Sequence, residues 1–208
     1  MGSEIRPRKT DNRQRLIQAA KKLIRRQGFH LTTLADIAQE ADVPLGNVYY
    51  YFKTKEAIGE AVIADIARGL SEAITSWDEN ADPRDRLFAF VQEEVSNVDE
   101  TARSGCSIGG LCQELAKQGG PLADAAAKLM SDTIAWASKQ FNTLGFGASS
   151  TDLAQQFYAM VQGTALLTNT FKDPKLMINL SQSLRNWLDK SVVKGKATAP
   201  LATAEEVA

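Results

Sequence analysis

The sequence is short of most of what chemistry at a catalytic or metal centre requires. It holds one histidine, His30, and two cysteines, Cys106 and Cys112, in 208 residues. A single histidine with no cysteine near it predicts no metal site, and two thiols are too few for a disulfide framework. Cys112 follows Cys106 by six positions, about 240° round a helix, so the two are not expected to bridge. There is no Ser/His or Cys/His pairing and no phosphate loop, so no catalytic residue and no cofactor are predicted. No apolar run approaches the roughly 18 residues of a membrane span. The opening MGSEIRPRKT has no apolar h-region and is not read as a secretory signal. These absences predict a non-enzymatic chain, without a membrane segment, in a reducing cytoplasm.

What is present is an ordinary globular composition, 44% hydrophobic and 24% charged, with an uneven charge distribution. Residues 1–56 hold eleven Lys/Arg against six Asp/Glu, a net of +5, while the remainder carries −6. A basic head on an acidic body suggests that the head alone meets a polyanion; a solvated basic helix face is the simpler alternative.

Helical periodicity runs through the chain and strand-like alternation is absent. A first helix is predicted from Thr10 or Asp11 to Gln27, stopped by Gly28. Thr33 caps a second, with Asp36 three residues on as a capping box. After Asp42-Val43, Pro44 is placed as the first residue of a short third helix ending at Tyr51 or Phe52. Thr54 caps a fourth, reaching Trp77. Later helices are predicted beyond Pro83, over about 106–117, 121–143, 150–171 and 174–191, with a loop at 101–105. About nine helices result, an all-α fold, with a disordered tail at 193–208.

The third helix contains Val48-Tyr49-Tyr50-Tyr51-Phe52. Four consecutive rings turned by about 100° each cannot share one core face, so some point outward. Val48 and Phe52 lie four apart and are assigned to the core. Tyr49 and Tyr50 face away and can donate hydroxyls to phosphate oxygens, whereas Tyr51 suits either phosphate or core. Gly46 lets backbone approach a partner closely. Asn47 can bond a base edge or a phosphate. Thr33 offers a hydroxyl and a helix N-terminus to phosphate. Helices two and three have helix-turn-helix spacing, in which the second helix enters a DNA major groove.

The stretch TTLADIAQEADVPLGNVYYYFKTKEAI, preceded by Arg25-Arg26-Gln27-Gly28-Phe29, closely resembles the N-terminal domain of the TetR family of bacterial transcriptional regulators. The motif-level match covers residues 10–60; beyond it the resemblance is one of architecture. The resemblance places Lys55 near the DNA backbone. Leu45 stands where the family often has a polar or basic residue; it cannot hydrogen-bond guanine but can touch a thymine methyl. The implied organisation is a flexible basic arm at 1–9, able to enter a minor groove, a helix-turn-helix DNA-binding domain at 10–56, and a larger ligand-binding and dimerisation domain at 57–192.

The resemblance further implies a repressor that binds a palindromic double-stranded DNA operator as a homodimer and is released by an unidentified small-molecule effector. The dimer would form through the last two long helices. Their stripes are Leu153, Phe157, Met160, Val161, Thr164 and Leu167 on one, and Met177, Leu180, Leu184, Trp187 and Leu188 on the other. The same stripes would also suit an internal core. Trp77, Phe90, Cys106, Trp136 and Phe157 are candidate effector-lining residues; plain core packing is the alternative for each. Gly105-Cys106 is similar to a Gly-Cys in electrophile- and oxidant-sensing members. Cys106 opens a helix, where the dipole lowers a thiol pKa. A thiol-switched repressor is therefore the alternative reading, against a small structural cysteine.

Overall fold

The structure, a computed structural model, describes residues 9–198, with side chains described between 12 and 190. The basic arm at 1–8 and residues 199–208 lie outside the described residues. Among the described residues the secondary structure is entirely helical: ten α-helices and one 3-10 turn, with no strand. They are α1 (Lys9–Gln27), α2 (Leu34–Glu40), α3 (Leu45–Tyr51), α4 (Lys55–Asp78), α5 (Pro83–Ser96), α6 (Val98–Ser104), α7 (Ser107–Ala116), α8 (Pro121–Thr143), α9 (Ser150–Phe171) and α10 (Lys175–Thr198), with the 3-10 turn at Gly147–Ser149.

The residues form two compact units that do not follow chain order. One holds the described residues up to 73 together with 100–131, and the other holds 74–99 and the described residues from 132 onward. In the first unit, α1 packs on α2 and α7, and α2 packs on α3. Its core includes Leu16, Ile37, Val48, Ile58, Val62 and Leu115, all nearly inaccessible to solvent. Burying each such aliphatic side chain contributes about 1.5–3 kcal/mol before conformational entropy is counted.

In the second unit, α10 packs against α9 and α5. Its interior is a chain of rings. Trp77 lies 5.2 Å from Phe90 and 5.0 Å from Trp136; Phe90 is 5.7 Å from Phe157, and Phe141 is 6.1 Å from Phe157 and 6.0 Å from Trp187. Most of these pairs are tilted or edge-on, the arrangement that ring quadrupoles favour. The indole N–H groups are satisfied by carboxylates, Trp77 donating to Glu93 (3.0 Å) and Trp136 to Asp78 (3.0 Å).

Three expectations change. Residues 101–105 are not a loop: 98–104 form α6, stopped by Gly105 at φ +79°. Only Thr101 and Ala102 of α6 are buried, too little apolar periodicity to announce a helix. Pro44 is the N-cap of α3 rather than its first residue, with φ −54° and ψ 137°. Finally, α10 extends to Thr198, past both the predicted helix end at 191 and the start of the predicted tail.

Candidate nucleic-acid interface

The first unit builds a surface from α2, α3 and the start of α4. Thr33 caps α2 in a complete capping box: its Oγ1 accepts from the Asp36 amide (3.1 Å), and the Asp36 carboxylate accepts from the Thr33 amide (2.9 Å). The Thr33 hydroxyl also donates to Asp36 Oδ2 at 2.7 Å. These bonds, the hydroxyl's first and the amide's second, hold the Asp36 carboxyl below its ordinary pKa. An acid in the first turn also suits the helix dipole. Thr33 thus lies at the surface with its hydroxyl already engaged.

The turn into α3 is fixed from behind. Asp42 is left-handed, at φ +50°, a conformation that Asp tolerates better than most residues. The Arg15 guanidinium donates to the carbonyls of Ala41 (2.6 Å) and Asp42 (3.1 Å). The Val43 amide donates back to Ala38 O at 3.0 Å, and the Val43 side chain is buried.

On α3 the row of rings separates by helical angle. Val48 is 0% and Phe52 3% exposed, whereas Tyr49 is 50%, Tyr50 62% and Leu45 42% exposed. Gly46 is exposed, and a methyl added there would meet no atom within 4 Å. Asn47 is half-buried. Tyr51 packs on the core, with its ring edge-on to Tyr50 at 4.9 Å. The core alternative for Tyr51 is therefore the observed one.

Basic groups surround this surface. Lys53 Nζ donates to Tyr49 O at 2.8 Å, and Arg13 lies 5.3 Å from the centre of the Phe52 ring. Lys55 opens α4 and donates to His30 O at 2.7 Å, with Nζ 4.8 Å from the Phe29 ring centre. Thr54 caps α4 by accepting from the Ala57 amide at 3.1 Å. Lys22 pairs with Glu40, whose carboxyl is held low chiefly by that hydrogen bond.

The surface is a short helix with a solvent-facing Leu-Gly and two tyrosines, backed by a core-anchored valine and phenylalanine and flanked by lysines. Residues 16–62 match the family described as bacterial regulatory proteins, tetR family. Residues 16–62 thus form a tetR-family N-terminal domain. It is similar to the HTH-type transcriptional regulator YxaF of Bacillus subtilis, with 25% identity over 178 residues, 84% of this chain and 93% of YxaF. It is similar to the HTH-type transcriptional repressor NemR of Escherichia coli, with 28% identity over 167 residues, 75% of this chain and 83% of NemR. The crystal structure of reduced E. coli NemR superposes with a TM-score of 0.71 over 85% of this chain and 96% of that one, at 25% identity. Bacillus subtilis FadR in complex with stearoyl-CoA shares the fold, with a TM-score of 0.69 at 18% identity over 85% of this chain and 97% of that chain. The chain thus carries the helix-turn-helix of a tetR-type transcriptional regulator.

The other candidate residues fall in two places. Trp77, Phe90, Trp136 and Phe157 come together in the ring cluster of the second unit, whereas Cys106 belongs to the first. Cys106 is the N-cap of α7, its half-buried Sγ accepting from the Gly109 amide at 3.4 Å. Cys112 is buried, donates to Ala126 O at 3.1 Å, and burial followed by the charge of Cys106 pushes its thiol up to about 11. Among the described residues no group of His, Cys, Asp and Glu could hold a metal ion, and no helix is long and apolar enough to cross a membrane.

The stripes on α9 and α10 divide. Phe157, Val161, Met177, Leu184 and Leu188 are buried in the second unit's own core. The strongly exposed apolar side chains are Leu166 (59%), Leu167 (46%) and Phe171 (66%) on α9 and Ile178 (43%) on α10. Of these, sequence reasoning named only Leu167. Leu166 and Leu167 are adjacent, so periodicity alone cannot say which side faces the core.

Proposed function

We propose that this regulator is a repressor that binds a palindromic DNA operator as a homodimer, with α3 as the recognition helix. The observation that carries the reading is the outward display of Leu45, Gly46, Tyr49 and Tyr50 on a helix whose Val48 and Phe52 are locked into the core. In the proposed complex Gly46 lets the α3 backbone approach the groove. Tyr49 and Tyr50 donate to phosphate oxygens, and Asn47 bonds a base edge or a phosphate. Lys55 approaches the DNA backbone, and Leu45 reads a thymine methyl. Thr33 contributes from the α2 terminus, sharing its hydroxyl with Asp36.

A twofold dimer separates the two recognition helices by about one DNA turn, 34–36 Å. The exposed apolar residues of α9 and α10 supply the dimer surface in this reading. A small-molecule effector acts by binding the DNA-incompetent state better than the competent one, which limits its leverage to that difference in affinity. Trp77, Phe90, Trp136 and Phe157 are the residues against which an apolar effector would pack, and the stearoyl-CoA complex of FadR supports an acyl-type ligand as a first trial. Residues 10–56 are the DNA-binding part and 57–192 the effector and dimer part, and the regulator acts in the cytoplasm.

The test is operator binding by the full chain. Tyr49→Ala is expected to weaken operator binding by about tenfold per subunit, with non-specific binding weakened alongside it, while circular dichroism stays unchanged. Wild-type affinity in Tyr49→Ala would refute the assignment.

A second reading, a thiol-switched repressor, is supported by the Cys106 Sγ at the N-terminus of α7 accepting an amide N–H, and by the likeness to reduced NemR. Cys106→Ser is then expected to abolish DNA release by a thiol-reactive electrophile such as N-ethylmaleimide. Unchanged release would end that reading.

A further inference from the structure

We propose that Glu114 of α7 is a positioning residue for DNA binding, acting through the Phe29–His30 backbone on Lys55. The inference rests on the reading of Lys55 as a DNA-backbone contact. Gly28 ends α1 in the left-handed region at φ +89°, which turns the next two amides toward α7. Glu114 takes both: its Oε2 accepts from Phe29 N at 2.7 Å and its Oε1 from His30 N at 2.7 Å. A carboxylate bridging two successive amides is a charge-assisted, bidentate arrangement that fixes both position and orientation.

The opposite side of the same dipeptide holds Lys55. Its Nζ donates to His30 O at 2.7 Å and stands over the Phe29 ring at 4.8 Å. Phe29 itself is buried, and a methyl on Gly59 of α4 would come within 2.8 Å of its ring. Gly28 is closed in the same way, since a methyl there would lie 2.9 Å from Glu114 Oε2. The peptide between Glu114 and Lys55 therefore has little room to shift. A lysine on a flexible stem normally spends rotamer entropy to reach a phosphate; here the carbonyl and the ring hold it ready.

The experiment compares four full-length proteins on one operator: wild type, Lys55→Ala, Glu114→Gln and the double variant. Gln fills the same space as Glu but offers one acceptor and sets an NH2 against an amide N–H. If Glu114 acts through Lys55, Glu114→Gln weakens operator binding by up to about tenfold. It also lowers the salt slope of binding by about one unit per subunit, as Lys55→Ala does. The double variant then binds no more weakly than Lys55→Ala.

Wild-type affinity and slope in Glu114→Gln, or an additive loss in the double variant, would overturn the proposal. Wild-type behaviour in Lys55→Ala would instead overturn the reading of Lys55, and the route through it. Far-UV circular dichroism of Glu114→Gln is expected to match the wild type, so that a loss of binding reports the loss of positioning and not unfolding. A measurement independent of the variants is amide hydrogen exchange: Phe29 and His30 are protected in the wild type, and free exchange at both would overturn the proposal.

Discussion

The two units hold themselves together by different physics. In the second, rings pack on rings, and the polar atoms of Trp77 and Trp136 are tied off by Glu93 and Asp78. In the first, a mainly aliphatic core is overlaid by side chains that grip backbone: Arg15 on the carbonyls of Ala41 and Asp42, Arg25 on Gly105 O at 2.9 Å, Glu114 on two amides and Lys55 on a carbonyl. Burial is non-directional and tolerates small rearrangements. A hydrogen bond to a named carbonyl does not, because it weakens steeply with angle and distance. In the proposed complex, where α3 is presented to a rigid duplex, the second kind of constraint is the one required.

The largest expected effect lies on the aromatic side of this contrast. Phe141 is 0% exposed and contacts the rings of Phe146, Phe157 and Trp187. Phe141→Ala is expected to cost about 3–5 kcal/mol, read by urea unfolding followed through tryptophan fluorescence. A loss below about 1 kcal/mol would mean that the ring cluster repacks freely.

On the polar side the comparable device is Asp65 of α4. Its side chain is buried and accepts from Gln14 (3.2 Å), Gln18 (3.2 Å) and Lys21 (3.1 Å) of α1, and from Arg68. Burial alone would raise its pKa, but the hydrogen bonds of Lys21, Gln14 and Gln18 and the charge of Lys21 outweigh it, leaving a net lowering from 3.8. A depressed carboxylate stabilises the fold fully above its unfolded value, and that stabilisation is lost as pH falls through the folded value. Asp65→Asn is expected to lose about 1–3 kcal/mol at pH 7, and its deficit against the wild type is expected to shrink below the ordinary aspartate value. An equal deficit at neutral and strongly acid pH would show that the charge contributes nothing.

The contrast also governs what the sequence discloses. The helix-turn-helix is legible because its signals are local: Thr33 with Asp36, the Asp42-Val43-Pro44 turn, and Val48 with Phe52 four apart. The partition of Val48, Phe52, Tyr49 and Tyr50 follows from helical angle alone. Tyr51 does not, since its direction lies between the two faces and the neighbouring core decides. The polar pins of the first unit are invisible in advance. Glu114 lies far along the chain from Phe29, and nothing in ELAKQ announces a backbone partner. The outward face of α9 is hidden for the opposite reason, because that helix carries apolar residues on more than one side.

The smallest stability effect is the most discriminating for function. Gly46 is exposed with open space around it, so Gly46→Ala is expected to leave stability unchanged or raise it by about 0.5–1 kcal/mol through helix propensity. The same methyl is expected to weaken operator binding severalfold by holding the α3 backbone off the groove. Unchanged binding would place the groove contact elsewhere on the helix.

In the proposed complex α3 reads duplex DNA in twofold-related half-sites. The direct measurement is selection of random duplexes by the full-length protein at moderate salt, followed by sequencing of the retained pool. A twofold dimer reading through α3 is expected to enrich an inverted repeat whose half-site centres lie about 10 base pairs, or a multiple of that spacing, apart. A pool with no enriched sequence, or with a single unrepeated site, would contradict it.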